Sequence, residues 1–200
     1  MTAKKYLSRI ELRKVLGADA FIENVKGKTM AEALYFQKNL LQNICIPNDN
    51  QLLIKGAMDL IEKNILVTHI EPAYYNDNKN FGCGYIGWFM KRELIEKIPP
   101  DEDIRCYVID VATELTMREE ENKIGIINRE ARKAKAVTVD MSVVPPYIHL
   151  MALAYPIEIV ALFEKNTREM LIDHYVWVQA RPTDFGGSIV PVVTWMSALG

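Results

Sequence analysis

Residues 104–144 read IRCYVIDVATELTMREEENKIGIINREARKAKAVTVDMSVV, in which two apolar runs flank a highly charged segment. The first run, 104–111, is almost continuously apolar, which predicts a strand buried on both faces. Thr116 begins a capping box, and the charges after it are acidic first and basic last, so we predict a helix over 117–135. The second run, 137–144, predicts another strand. Strand, helix and strand in this order indicate a right-handed βαβ crossover.

The charged segment has a second interpretation, in which 117–135 is the tip of a long projecting β-arm. The capping box and the match between the charges and the helix dipole favour the helix. They also argue against a nucleotide site at this crossover. Three glutamates at 119–121 occupy the positive end of the dipole, where a phosphate would otherwise bind.

The N-terminal third is predicted to be helical. Apolar spacing predicts a first helix over 4–16. Thr29 begins another capping box, and the helix that follows must end before Pro47. Asparagine and aspartate at 48–50 are suitable caps for a third helix, which is predicted to run to about Asn64.

The middle of the chain is predicted to contain a strand, a loop and a helix. The β-branched run 65–70 predicts a strand. Proline, glycine and asparagine dominate 72–85, which predicts a loop. Helical spacing returns over 87–98 and ends at a Pro-Pro pair, so a helix is predicted there.

The C-terminal part begins with an apolar block that predicts two buried helices, one up to residue 154 and one over 157–171. Alternation over 174–181 predicts a strand, and a turn leads to a last strand over 188–196. These two strands would form a hairpin. Pro191 would place the last strand at a sheet edge, because proline donates no hydrogen bond to a neighbouring strand.

Together these elements predict an α/β or α+β fold. It has a helical N-terminal third, a βαβ-like crossover at about 104–144, apolar helices and a C-terminal β-hairpin. The length of 200 residues suits a single domain, in which a helical part, 1–64, packs on an α/β core, 65–200.

The composition excludes several classes of protein. Half of the residues are apolar and a quarter are charged, which is typical of a globular chain rather than a disordered one. The net charge of −2 gives no general attraction to nucleic acid, and the basic residues at the end of 117–135 are accounted for by the helix dipole. No apolar run approaches the roughly 18 residues of a membrane span, and the first ten residues are too polar for a secretory signal.

The cysteines indicate a cytoplasmic or other intracellular location, with an assembled particle as one case. There are three, Cys45, Cys83 and Cys106, without any C-x-x-C spacing. An odd number in a chain of this size predicts reduced thiols rather than a disulfide framework.

Candidate catalytic residues are few. His69-x-Glu71 with the later Cys83 has part of the ligand spacing of a zinc deaminase, but the second cysteine that this site needs is absent. We therefore expect no metal, and no catalytic residue is assigned. The alternative is a small intracellular hydrolase that uses His69, Glu71 and Cys83 or the pair Asp110 and Asp140.

Asp110 interrupts an apolar run, so a structural pairing of its carboxylate is preferred to catalysis. The chain carries neither a P-loop motif nor a glycine-rich dinucleotide motif, and no cofactor is predicted.

A cluster of aromatic residues around a polar loop predicts a surface for partner binding, because large side chains with a polar tip are enriched at interfaces. The predicted partner-binding residues are Tyr74, Tyr75, Asn78, Phe81, Tyr85 and Trp88. The alternative is that Trp88 belongs to the core and the tyrosines brace the loop.

These observations favour a non-enzymatic structural or assembly subunit that acts through protein–protein contacts in an oligomeric complex. Its partners would be copies of itself or other protein subunits. A virus or phage particle component is one such case, and no residue selects it over a cellular adaptor.

Overall fold

The structure is a computed structural model that describes residues 5–6, 9–45, 50–71, 75–76, 79–80, 84–99, 103–113, 115, 156–183 and 187–199. Helices pack on both faces of a four-stranded antiparallel sheet, so the fold is α+β. Within these residues, no helix has both the length and the apolar content to cross a bilayer.

Four helices and two short strands form the N-terminal part. The helices are α1 (Arg9–Leu16), α2 (Ala18–Val25), α3 (Met30–Gln42) and α4 (Asn50–Glu62). The strands β1 (Lys5–Tyr6) and β2 (Ile44–Cys45) pair in parallel. The predicted helices are confirmed, except that the segment predicted as helix over 4–16 contains β1 before α1.

The capping box predicted at Thr29 is present at the start of α3. The Thr29 hydroxyl accepts a hydrogen bond from the Glu32 backbone N–H (3.2 Å), and the Thr29 N–H donates to the Glu32 carboxylate (2.8 Å). One face of α3 is buried, through Ala33, Gln37 and Leu41 at i, i+4 and i+8. This spacing directs the opposite face of α3 away from the core.

The sheet carries the core of the molecule. Its strands are β3 (Val67–Glu71), β6 (Tyr85–Lys91), β7 (Ile104–Ile109) and β8 (Tyr175–Pro182), in the order β3-β6-β8-β7. All three neighbouring pairs are antiparallel. Between β3 and β6, the strands β4 (Tyr75–Asn76) and β5 (Lys79–Asn80) form a separate hairpin.

The remaining helices are α5 (156–162), α6 (Lys165–His174) and α7 (Val190–Ala198). The helix predicted over 157–171 is therefore two helices. The chain bends between them because the Glu164 carboxylate caps α6, accepting hydrogen bonds from the N–H groups of Thr167 (2.8 Å) and Asn166 (3.2 Å). The strand predicted over 174–181 is confirmed as β8.

Each face of the sheet is covered by a different set of helices. On one face, α4 and α7 pack over the alternate residues that include Ile86, Trp88 and Val178. On the other face, α2, α5 and α6 pack over Phe89 and Trp177. Since β6 and β8 contribute to both clusters, they are the strands that join the two halves of the core.

The prediction of a helix over 87–98 is wrong for its first five residues. Tyr85–Lys91 is strand β6, and only Arg92–Lys97 is helical, as a short 3-10 helix. Trp88, Phe89 and Met90 are all fully buried because β6 lies between β3 and β8 and has a core on each face. Consecutive apolar residues are what such a central strand requires.

The predicted C-terminal hairpin is also wrong, because the segment after β8 forms helix α7 instead of a strand. Pro191 lies in the first turn of α7, where a helix tolerates proline because the N–H it lacks has no intrahelical partner. The helix packs on α4, and the Ser197 hydroxyl donates to the Asp59 carboxylate (2.8 Å).

The predicted crossover can be compared with the structure only at its first strand. β7 forms as expected, but Arg105, Cys106, Tyr107 and Val108 are half-buried, so the prediction of burial on both faces is wrong. The helix over 117–135 and the strand over 137–144 lie outside the described residues.

Candidate functional site

The strand register places several polar side chains next to one another, at one end of one face of the sheet. Tyr107 is paired with Gln179, Gln179 with Gly87, and Gly87 with His69, which places these residues in one row. The next row along the same face contains the pairs Glu71–Tyr85 and Arg105–Arg181. The alternate face of the same strands is apolar, so polar and apolar sides alternate along each strand.

His69 is a buried residue of this row. The ring packs against Gly87, where an added Cβ would lie 2.5 Å from His69 Cε1. Tyr85 contacts it edge-on, with ring centroids 5.4 Å apart. Thr68 Oγ1 lies 3.3 Å from His69 Nδ1 and accepts a hydrogen bond from Trp177 Nε1 (3.0 Å). Burial lowers the pKa of His69 to about 4, so the imidazole is neutral near pH 7.

Arg181 is the second buried polar residue of this face, with 4% of its surface exposed. Its Nη1 donates hydrogen bonds to the carbonyl oxygens of Pro182 (2.8 Å) and Thr183 (3.0 Å), which fixes the chain as it leaves β8. Its Nη2 lies 3.5 Å from the Tyr107 hydroxyl. These contacts assign the guanidinium a structural role at the end of the sheet.

The residues of the hydrolase alternative are only partly described. His69 and Glu71 lie two residues apart on β3 and are both buried. Cys83 and Asp140 lie outside the described residues. In the part of the chain that the structure describes, no group of three histidine, cysteine or acidic side chains is placed to hold a metal ion.

Asp110 is paired, as the sequence predicts. Its carboxylate forms an ion pair with Arg92 Nη1 and accepts a hydrogen bond from Arg92 Nη2 (3.1 Å). It also accepts from the N–H groups of Ala112 (3.1 Å) and Thr113 (3.4 Å), so it caps the helical turn at 111–113. Partial burial raises the pKa of Asp110, but the hydrogen bonds from Arg92 and Thr113 outweigh it and the net pKa is lowered.

The predicted partner-binding residues fall into three groups. Tyr74, Asn78 and Phe81 lie outside the described residues, and Tyr75 is described only as part of strand β4. Tyr85 lies on β6, half-buried against His69.

Trp88 requires a correction. It is 0% exposed and its ring packs on Trp195, with centroids 5.3 Å apart. Because β6 is a central strand, Trp88 belongs to the core and offers no surface to a partner.

A groove on α3 is the candidate site that the structure adds. We call it the α3 groove; the residues that define it are Lys28, Glu32, Tyr35, Phe36, Asn39 and Asn43. Its volume is about 780 Å³, and its apolar lining includes Ala31, Leu40 and Ile44. Tyr35 is 72% exposed, more than any other large hydrophobic side chain of the described residues.

The periodicity and the N-terminal cap of α3 determine the positions of the groove residues. Since Ala33, Gln37 and Leu41 face the core, helical periodicity turns Tyr35 outward. The capping box orders the N-terminal end of α3, and Lys28 Nζ lies 5.4 Å from the centre of the Phe36 ring, a cation–π contact. The groove therefore has an ordered aromatic centre and a polar residue at each end.

This surface was not predicted from the sequence. The available signal was that Tyr35 and Phe36 lie off the buried stripe of a well-capped helix, although such positions are usually polar. The period-two pattern of Arg105 with Tyr107 and of Gln179 with Arg181 likewise signalled the polar sheet face.

No protein-family model and no curated protein matches this chain.

Proposed function

We propose that this chain is a non-enzymatic structural or assembly subunit that acts through protein–protein contacts, and that the α3 groove is one of its contact surfaces. The observation that carries the proposal is Tyr35, which is 72% exposed in a groove with an apolar lining. Tyrosine is enriched among the residues that dominate binding energy, and it buries a large area at a small entropic cost.

The groove has the layout of a contact surface. Its apolar lining would lose contact with water when a partner binds, which stabilises the complex by roughly 25 cal/mol for each Å² of apolar surface buried. The polar rim, with Lys28 and Glu32 at one end and two asparagines at the other, would provide orientation. An apolar centre with a polar rim is the usual arrangement of a protein–protein interface.

The proposed location is intracellular, and an assembled particle of viral or phage origin is one form that the complex would take. The loop that contains Tyr74, Tyr75, Asn78 and Phe81, predicted from the sequence as the contact surface, remains a prediction beside the groove. Its side chains lie outside the described part of the chain.

Site-specific photo-crosslinking tests the proposal. A photoreactive residue replaces Tyr35 in the full chain within its native source, and Lys38, exposed on the same helix outside the groove, is the matched control position. We expect a discrete protein adduct at position 35 and none at position 38.

The captured protein is then purified and its affinity measured for wild type and for Tyr35→Ala. Loss of about 2 kcal/mol of binding energy, with an unchanged melting temperature, supports the proposal. Absence of an adduct at position 35, or an affinity that Tyr35→Ala does not change, contradicts it.

A further inference from the structure

We infer that a buried water molecule is bound between α3 and the edge strand β3, where it donates hydrogen bonds to Gln37 Oε1 and to the Val67 carbonyl oxygen. The inference goes beyond the proposed function and does not depend on it. Three observations carry it: a buried amide oxygen without a donor, a cavity of suitable size beside that amide, and a strand edge that supplies a second acceptor.

Gln37 is the polar residue of an otherwise apolar buried stripe. It lies between Ala33 and Leu41 on the inner face of α3, with 7% of its surface exposed. Its Nε2 donates a hydrogen bond to the Val67 backbone carbonyl. Its Oε1 is buried and has no hydrogen-bond donor among the described residues. Enclosing an amide oxygen without a donor is unfavourable, so native proteins satisfy such atoms with a protein group or an ordered water.

A small cavity lies beside this amide. Its volume is about 30 Å³, and residues of α1, α2, α3 and β3 line it. One water molecule needs at least about 10–15 Å³ of such space. The cavity therefore accommodates water, whereas it is far smaller than the roughly 300–1,000 Å³ of a site for an organic ligand.

The edge strand β3 provides the second acceptor. In the order β3-β6-β8-β7, β6 is the one described strand of this sheet that pairs with it. The Leu66 carbonyl accepts from the Phe89 N–H of β6 (2.9 Å), whereas the carbonyl of the next residue, Val67, accepts from α3 and so faces away from β6. A carbonyl oxygen has two lone pairs, so the Val67 oxygen can accept from the water as well as from Gln37 Nε2.

The chemistry of the lining selects water over an ion. Gln37 Oε1 and the Val67 oxygen are neutral acceptors, so the ligand must donate two hydrogen bonds, as a water molecule does. None of the described residues that line the cavity is acidic, and a cation there would lack the negative charge that its burial requires. The water would join α3 to the edge of the sheet, alongside the direct bond from Gln37 Nε2.

High-resolution crystallography of the full chain tests the inference. We expect an ordered water at about 2.5–3.0 Å from both Gln37 Oε1 and the Val67 oxygen. Gln37→Met keeps the length of the side chain but removes the amide, so the structure of this variant should lack the water, because apolar cavities stay dry. Gln42→Met, at an exposed position of the same helix, is the matched control and should leave the water in place.

NMR of the wild-type chain gives a second readout, which does not depend on the folding of any variant. The side-chain amide protons of Gln37 should show the negative nuclear Overhauser effect to water that a long-lived bound molecule produces. The exposed amide of Gln42 is the internal control and should not show it, because it contacts bulk water.

Two outcomes would overturn the inference. A wild-type structure without a water at hydrogen-bond distance from Gln37 Oε1 shows that the atom needs no such ligand. A water that remains in the cavity of Gln37→Met is held by other groups. Neither outcome affects the proposed function, whose test is the crosslink at position 35.

Discussion

At the scale of single residues, Gly87 and His69 depend on each other. A Cβ at position 87 would lie 2.5 Å from His69 Cε1 and 2.9 Å from Thr68 Oγ1, so only glycine allows the imidazole to pack against β6 at this distance. The ring is thereby held between Tyr85 and Trp177 and excluded from water. This burial, rather than a nearby charge, is the cause of its lowered pKa.

The first prediction concerns the pH dependence of stability. An ordinary histidine titrates at 6.5, whereas His69 in the folded chain titrates at about 4. Between these values the unfolded chain binds more protons, so stability falls as pH decreases through this interval, by at most about 1.4 kcal/mol per pH unit. Above pH 6.5 this contribution is constant. Urea denaturation at several pH values measures the slope.

A pair of variants isolates the contribution of His69. His69→Gln should flatten the slope between pH 6.5 and 5. His174→Gln, at an exposed position, controls for the removal of an imidazole. This variant should keep the wild-type slope of stability against pH. An NMR titration of wild type provides a readout that does not depend on the variant folding. A midpoint near 6.5 for His69 would contradict the prediction.

At the scale of elements, the start of α3 is tied to the start of α6. The Thr167 hydroxyl donates to the Glu164 carboxylate (2.9 Å) and accepts from the Met30 N–H (3.1 Å). Two backbone hydrogen bonds reinforce the junction: the Gly27 N–H donates to the Leu162 carbonyl (2.7 Å), and the Glu164 N–H donates to the Lys28 carbonyl (3.1 Å). Residues at the start of each helix thus accept hydrogen bonds from backbone N–H groups at the start of the other helix.

The second prediction tests this junction. Thr167→Val keeps the shape of the buried side chain but removes the hydroxyl, which leaves the Met30 N–H without its acceptor and should destabilise the fold by about 1–3 kcal/mol. Thr183→Val is the matched control. The Thr183 hydroxyl is buried and, within the described residues, has no hydrogen-bond partner, so its removal should be neutral or slightly stabilising. Equal destabilisation by both variants would contradict the prediction.

The elements that sequence reasoning predicted best are those with local signals. α3 begins at a capping box, and α4 begins next to suitable caps and carries apolar residues at helical spacing, of which Leu53, Ala57, Leu60 and Ile61 are buried. Such signals depend only on residues that are close together in the sequence. The general class, a mixture of helices and sheet, follows from them, from the β-branched run of β3 and from the alternation along β8.

For the elements that were predicted wrongly, tertiary packing decides whether the segment is a helix or a strand. Trp88-Phe89-Met90 fits a buried helix or a buried strand equally well, and only its position between β3 and β8 selects the strand. The β-branched residues of α7 favour a strand intrinsically, but the helix buries Val192, Trp195 and Met196, and this burial outweighs propensity.

The candidate site was harder to predict for a related reason. The exposure of Tyr35 depends on which elements cover α3, and no local pattern encodes that coverage. The same holds for Trp88, whose sequence neighbours are typical of an interface although its side chain lies in the core.

At the scale of the whole molecule, a single sheet separates two cores. Met196 lies fully buried in the cluster under α4 and α7, and Leu171 lies fully buried in the cluster under α2, α5 and α6. β6 and β8 place alternate residues in each cluster, Trp88 and Val178 in one and Phe89 and Trp177 in the other. Neither cluster can lose its packing without exposing the strands that support the other.

The third prediction follows from this shared sheet. Met196→Ala and Leu171→Ala should each lower the free energy of unfolding by about 2–5 kcal/mol, because each leaves a cavity in a packed core. Both should shift a single cooperative transition that circular dichroism and tryptophan fluorescence report at the same denaturant concentration. Val190→Ala, at a half-exposed position, should change stability by less than about 0.5 kcal/mol. If Leu171→Ala instead produced two separate transitions, the two cores would unfold independently. The sheet would then not couple them, since a strand shared by two cooperative cores cannot remain ordered on one face alone.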